Sequence, residues 1–442
     1  MTREVIRVIL ILVELIKIHF KMLRYLALSI FLSFSLLGYS TQILIQMDES
    51  QKNHLKAYGI AYWAIDHDIT IEWLLNYRGG SFLIPHLKSI EEEMVIRGVS
   101  YEIKTDGQIN QIKREIGNPE INMEVIQLEK APKIAVYTPP NKQPWDDAVT
   151  MVLEYAEIPY DKIYDSAIVM GKLPEYDWLH LHHEDFTGQY GKFYRSARYQ
   201  KWYQDQIDVA EGNAKMLGYS KVSKLKLAVA VNIKNFVVGG GFVFTMCSGT
   251  DSFDIALAAE NTDICESVFD GDPSSPNSDA QLDFSKTFAF KDFKLDKNPM
   301  VYEYSNIDGT YLRTNGTIPK SLDEFTLFEF SAKWDVVPTM LTQCHVDVVK
   351  GFMGQTTDFK KDLIKSDVLI LGETKAAGTA RYIHGEYGQG TWTFYGGHDP
   401  EDYQHFVGDP PTDLNLHPNS PGYRLILHNI LFPAAKKKKR KT

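Results

Sequence analysis

Short apolar runs alternate with amphipathic stretches from residue 41 to residue 431. Gln42-Ile43-Leu44-Ile45 predicts a strand. Over 53–65, Leu55, Tyr58, Tyr62 and Ile65 recur at helical spacing. A strand is expected over 69–75, a loop at Tyr77-Arg78-Gly79-Gly80-Ser81, a helix over 84–96 closed by Gly98, and a strand over 99–103. This is a β-α-β-α-β half. A second block opens at Lys133–Tyr137 and breaks at Pro139-Pro140-Asn141. It continues with a helix over 145–155, a strand over 176–182, a polar, aromatic and helical insertion over 184–220, and a helix over 221–237. Residues 261–350 are irregular, with hairpin-like pieces such as 325–330. A hairpin over 382–395 turns at Gly388-Gln389-Gly390, and a last helix spans 421–431. Strands alternating with helices predict an α/β fold with a doubly wound, mostly parallel sheet. In such sheets reactive groups gather outside the carboxyl ends of the strands. No internal repeat is present.

The densest chemical signal is Gly239-Gly240-Gly241-Phe242-Val243-Phe244-Thr245-Met246-Cys247-Ser248-Gly249-Thr250-Asp251. An apolar strand runs into small-x-Cys-x-small and then into a helical stretch over 252–259. That is the layout of a nucleophile elbow, in which small neighbours permit a tight strand-to-helix bend. The helix N-terminus would favour a thiolate or a developing oxyanion at Cys247. A buried, inert cysteine is the alternative.

Composition narrows the partners. The chain has 442 residues, 44% hydrophobic and 24% charged, with a net charge of -10. These values suit a folded protein and exclude a general nucleic-acid binder. The basic run Lys436–Lys441 is local and reads as a solvated tail. Before residue 41, Met22-Leu23-Arg24, the apolar run 25–37 and Gly38-Tyr39-Ser40 form the pattern of a secretory signal peptide. The apolar run is short for a membrane span. The expected organisation is a signal peptide with an upstream extension over 1–40, an N-terminal α/β region over 41–130, a main domain over 131–434 and a tail over 435–442. An exported protein, periplasmic or at the cell surface, is expected, acting on a small molecule, with no nucleic-acid partner and no membrane span after processing. Cys265 and Cys344 are left open for pairing, with Cys247 alone.

The glycine run with Cys-Ser-Gly-Thr-Asp, the stretch Gly385–Tyr403 with its Gly-His-Asp segment, and Ser420-Pro421-Gly422-Tyr423 resemble ThuA-like proteins. These are members of the class I glutamine-amidotransferase-like superfamily. The resemblance covers roughly 130–434 and implies a flavodoxin-like core. ThuA-like members often carry His where Cys247 stands. Amidotransferases proper place His-Pro-Glu after a late strand, where this chain has His398-Asp399-Pro400-Glu401. The resemblance implies Cys247 as nucleophile, His398 as base or acid, and Glu401 or Asp399 as its orienter. The whole chain also resembles exported bacterial proteins labelled asparagine synthetase B. That label implies glutamine-hydrolysing amide synthesis. Its residues are incomplete here: Thr2 follows Met1, and Ser248-Gly249-Thr250-Asp251-Ser252 is one residue short of the pyrophosphate loop.

A second cluster, His180-Leu181-His182-His183-Glu184-Asp185, falls at a strand end. His180 and His182 share one strand face, a spacing that suits zinc. The cluster would line the wall opposite Cys247 and orient substrate. Ser248 and Arg78 complete the candidate substrate contacts, Arg78 through a glycine turn able to meet an anion. No complete metal set and no cofactor are expected. The reaction class is hydrolysis or transfer at an amide or carbohydrate-derived substrate. A non-catalytic carbohydrate-binding protein on the same scaffold is the rival.

Overall fold

The computed structural model describes residues 3, 7, 14–24 and 41–435, apart from 142, 310–318, 320–321 and 404–405. The apolar run 25–37, the expected cleavage site and the basic tail lie outside the described residues. Residues 14–24 are helical and exposed. Among the described residues no helix is long and apolar enough to cross a membrane.

Two sheets build the protein. The first holds β1 (Thr41–Ile45), β2 (Ile71–Leu75), β3 (Ser81–Pro85), β4 (Glu102–Thr105) and β5 (Glu124–Leu128), ordered β4-β1-β3-β2-β5. All of its pairings are antiparallel. This corrects the expected N-terminal β-α-β-α-β half. The residues expected to begin a helix at 84 instead finish β3, which returns on β2 through the Tyr77–Gly80 turn. A connection that short permits only antiparallel pairing. Helix α1 (His54–Asp66) is capped by Asn53, whose side chain accepts from Lys56 N. Helix α2 (Lys88–Arg97) ends at Gly98 with φ 70°. Helix α3 (Asp106–Ile116) opens with a Thr105–Gln108 capping box.

The second sheet holds β6 (Ile134–Tyr137), β7 (Asp161–Ile163), β8 (Trp178–Leu181), β9 (Phe242–Met246), β10 (Glu324–Leu327), β11 (Val348–Lys350), β12 (Phe359–Lys360), β13 (Leu369–Thr374), β14 (Thr379–Tyr387) and β15 (Gly390–Tyr395). Its order is β11-β10-β13-β14-β15-β9-β8-β6-β7, with β12 on β14. The run β15-β9-β8-β6-β7 is parallel. The rest is antiparallel, so the expectation of a mostly parallel sheet holds only for that run. The chain is a mixed α/β protein.

Helices fill the space between and outside the sheets. Strand alternation sends Ile43, Trp73, Phe82 and Ile84 to one core and Leu44, Leu74 and Leu83 to another. The first core also takes Ile134, Val136, Trp178, Phe244 and Met246 of the second sheet. Helices α1, α4 (Ala148–Ala156) and α8 (Pro421–Leu431) therefore lie between the sheets. Helices α5 (Lys201–Met216), α6 (Val222–Val238) and α7 (Ser248–Ala258) cover the far face of the second sheet, against Ala135, Leu179 and Val243. Helix α3 covers the far face of the first. Where both faces of a sheet are covered, as at β6 and β9, the strand reads as a near-continuous apolar run.

Candidate functional site

The carboxyl ends of β6, β8, β9 and β15 carry the site. Strand β9 ends at Met246 and α7 begins at Ser248, with Cys247 between them at φ 51°, ψ -139°. A side-chain-bearing residue rarely adopts that conformation, and holding it costs of order 1–3 kcal/mol. The bend is enforced by contact. Gly249 N–H donates to His182 O at 2.8 Å. A Cβ at Gly249 would stand 2.4 Å from that oxygen and 3.0 Å from Thr245 Cγ2. The expected elbow is therefore present, with the small residue where it is needed.

The sulfur is closed in. Cys247 is 1% exposed, and its Sγ accepts from Gln355 N at 3.3 Å. Backbone N–H groups of Thr356 and Ser248 point to it as well. Burial pushes the thiol up to about 11 against those donors. The depressed thiol pKa expected from the helix N-terminus is thus not met in this closed arrangement, because desolvation outweighs the helix field. Asp251, one turn along α7, accepts from Thr356 Oγ1 at 2.9 Å. Burial raises its carboxyl to about 7. Cys265 and Cys344 are both free, so no disulfide joins them. Cys265 Sγ donates to Thr187 O instead.

His398 reaches the same edge from β15. Tyr395 pairs with Met246 in register, so His398 and Cys247 follow adjacent strand ends. The segment 353–356 ties the two together. Met353 O accepts from His398 N at 3.0 Å and Thr356 O from Gly397 N at 2.8 Å, while Gln355 N reaches the sulfur. The His398 ring stacks on His183 with centroids 4.0 Å apart and lies 4.5 Å from His182. His182 and His183 are 3.8 Å apart. One ligand atom from each of the three rings falls within 4.8 Å of the others, a group that does not include Cys247. Asp147 lies behind the cluster. Its Oδ1 caps α4 by accepting from Thr150 N. Its Oδ2 stands 3.1 Å from His182 Nδ1 and 3.3 Å from His180 Nε2. Burial opposes its charge, but the two imidazoles outweigh it and hold the carboxyl well below the usual range. Burial lowers the His182 pKa despite Asp147. His180 Nδ1 donates to Phe244 O at 3.1 Å. Trp145 covers the cluster, 5.1 Å from His183.

Other candidate residues serve elsewhere. Asp185 accepts from Thr187 N and Gly191 N, holding its own loop rather than a cleft wall. Glu184 faces buried Lys226 at 3.8 Å, and burial raises its carboxyl to about 7. Lys226 also donates to Tyr137, Tyr164 and Asp165. Glu401 pairs with His417 at 3.1 Å. Asp399 accepts from Glu401 N. Ser248 contributes its backbone N–H. Arg78 is an ion-paired strut, with Nε 2.6 Å from Asp48 and Nη1 2.8 Å from Glu102. Its glycines make no anion cradle, because Met47 O fills the space at Gly79 and the Gln343 side chain fills that at Gly80. Asp263, Cys265 and Asp270 converge too, but Lys221 Nζ neutralises that pocket at 2.8 and 3.0 Å from the two carboxylates.

Sequence reasoning missed Asp147, Trp145, Asp251 and the 353–356 segment. Asp147 had a usable signal: an aspartate directly before an apolar helix is a cap, and this cap ends beside a His-x-His strand.

No family model matches the chain, and no curated protein matches it significantly. Among solved structures it is similar to cytoplasmic protein STM3548 from Salmonella typhimurium at 11% identity, TM-score 0.34, covering 69% of this chain and 100% of that one. It is similar to cytoplasmic protein STM1381 from Salmonella typhimurium LT2 at 10% identity, TM-score 0.35, with the same coverage. A third likeness is to Gan42B, a GH42 beta-galactosidase, at 10% identity and TM-score 0.24, covering 61% of this chain and 28% of that one. These likenesses are too distant to carry fold or function across.

Proposed function

We propose that the chain is an exported hydrolase or transferase with a class I amidotransferase-like, ThuA-like core, acting on an amide or carbohydrate-derived substrate. Cys247 is the nucleophile and His398 its acid–base partner. The observation that carries this reading is the strained bend at Cys247, with Gly249 packed against His182 O. Strain of that kind clusters where a side chain must be presented. The parallel strands, numbered among themselves in chain order, lie 2-1-3-4-5 across the sheet, which supports a flavodoxin-like core. His398 follows the strand adjacent to the elbow. With the thiol pushed up to about 11 at rest, attack requires a base that takes the proton once substrate displaces the 353–356 segment.

The test is a panel of aryl amides, aryl esters and amino-sugar derivatives. Turnover should fall by about 10³-fold or more in Cys247→Ala, and an acyl adduct should be trapped on Cys247 by mass spectrometry. Hydrolysis that survives Cys247→Ala overturns the assignment. One observation favours the rival, a carbohydrate-binding protein. An open groove is lined by Asn141, Gln200, Trp202 and Asp205, an aromatic platform flanked by polar groups. A binder keeps its ligand affinity in Cys247→Ala.

A further inference from the structure

We infer that His182, His183 and His398 form a site for one divalent transition-metal ion of the zinc class. Three nitrogen donors come from two strand ends far apart in sequence, and one ligand atom from each lies within 4.8 Å of the others. Around a shared zinc at about 2.0–2.1 Å, such donors sit at most roughly 4 Å apart. The difference is left to rotation about the soft terminal torsion of each histidine when an ion binds. The three ligand atoms are histidine nitrogens, and such a set selects zinc, cobalt or nickel over calcium or magnesium.

The surroundings are those of a metal site. His182 is 3% exposed, and its Nε2 is buried with no hydrogen-bond partner. Its other nitrogen also lacks an aligned hydrogen bond but lies 3.1 Å from Asp147 Oδ2. A carboxylate behind a histidine fixes which nitrogen carries the proton and leaves the other for an ion. Asp147 is itself held by Thr150 N. The open groove lies two aromatic rings away. Half-buried Trp145 covers His183 and meets Trp202 edge-on at 5.4 Å, and Trp202 lines the open groove. Aromatic packing alone would be served by phenyl rings without burying imidazole nitrogens. Three protein ligands leave a fourth position open, the arrangement of catalytic rather than structural zinc. The inference does not rest on the thiol's role, and it competes with the acid–base role proposed for His398. With an ion in place His398 is a ligand and cannot also act as the base for Cys247.

The full chain, stripped with chelator, is titrated with zinc chloride and then with cobalt chloride, read by calorimetry and by visible absorption. One equivalent is expected to bind, with the intense bands of four-coordinate cobalt. His182→Gln, His183→Gln and His398→Gln should each weaken binding by about 100-fold or more, and Asp147→Asn by about 10- to 100-fold. His86→Gln, in the first sheet, should leave it unchanged. Circular dichroism identifies any variant that fails to fold, and for such a variant the Asn or Gln change is replaced by Phe. Absence of stoichiometric binding by the wild-type chain overturns the site. So does binding that persists in folded His183→Gln and His398→Gln, which would place the ion on Asp147, His180 and His182 instead.

Discussion

Asp48 and Asp251 are the same residue type in opposite conditions. Asp48 sits in the first sheet region with Arg78 and Ser50 around it. Burial opposes its charge, but those donors outweigh it and its carboxyl is lowered. Asp251 sits at the carboxyl edge of the second sheet, where burial outweighs the Thr356 hydroxyl and raises it to about 7. The same contrast holds for the glycine turns. Both turns carry a positive φ at a side-chain-bearing residue, but the one at Arg78 is filled by Met47 and Gln343, whereas the one at Cys247 is closed around a sulfur. Around Arg78 the charged groups are paired. The other region holds a raised Asp251 carboxyl, a thiol pushed up by burial and stacked imidazoles, all poorly solvated. Residue types alone do not separate the two regions; the balance of burial against partners does.

The sharpest way to break this comparison is to place one methyl group in each region. Gly249→Ala drives a Cβ to 2.4 Å from a backbone oxygen that cannot move without unpairing the β8 end. A loss of about 3 kcal/mol or more in urea denaturation is expected. Gly98→Ala meets nothing within 4 Å, and only its φ of 70° opposes it, so about 1 kcal/mol is expected. Equal losses at both positions would mean that the elbow is not held by contact.

Titration sharpens the comparison next. Asp251 has a folded pKa raised above its unfolded value of 3.8 to about 7. Its contribution to stability is fully present below about pH 4 and is lost as pH rises through about 7. Asp251→Asn removes that dependence. The difference in unfolding free energy between wild type and variant should change by about 2–4 kcal/mol between pH 4 and pH 8. Asp48 runs the other way, since its folded pKa is lowered. Its contribution is present above about pH 4 and is lost as pH falls through the folded value, so Asp48→Asn costs stability at neutral pH and little in acid. Matching signs for the two variants would end the contrast.

The elbow was legible because its demands are local: a strand, a small residue on either side of Cys247, and a helix, all within one short segment. The final helix was legible for the same reason, with Ser420 capping and Pro421 at its first turn. The imidazole cluster was only half legible. His182 and His183 announce a strand end, but their meeting with His398 depends on β15 lying beside β9, and that register is a tertiary fact. The antiparallel first sheet was misread because apolar runs alternating with helices suggest parallel pairing. The turn at Tyr77–Gly80 carried the correction, since two apolar runs joined across glycines make a hairpin. Glu401 and Arg78 are engaged by other residues for one reason. A charged residue near a motif takes whichever partner packing brings first, and packing brought His417 and Asp48.

The smallest effect tests the quiet side of the comparison. Arg78 bridges Asp48 and Glu102 with side chains about a third exposed. Solvent screens such pairs, and each contributes at most about 1 kcal/mol. Arg78→Ala should therefore lower stability by about 1 kcal/mol, less at high salt, because the lost attraction is already screened there. The Arg78 backbone lies in the left-handed region at φ 46°; alanine keeps that strain and so isolates the charge. If the first sheet only supports the molecule, zinc stoichiometry and the alkylation rate of Cys247 will match wild type in this variant. A change in either would show that the Arg78 turn reaches the second sheet's edge, and the division between the two regions would have to be redrawn.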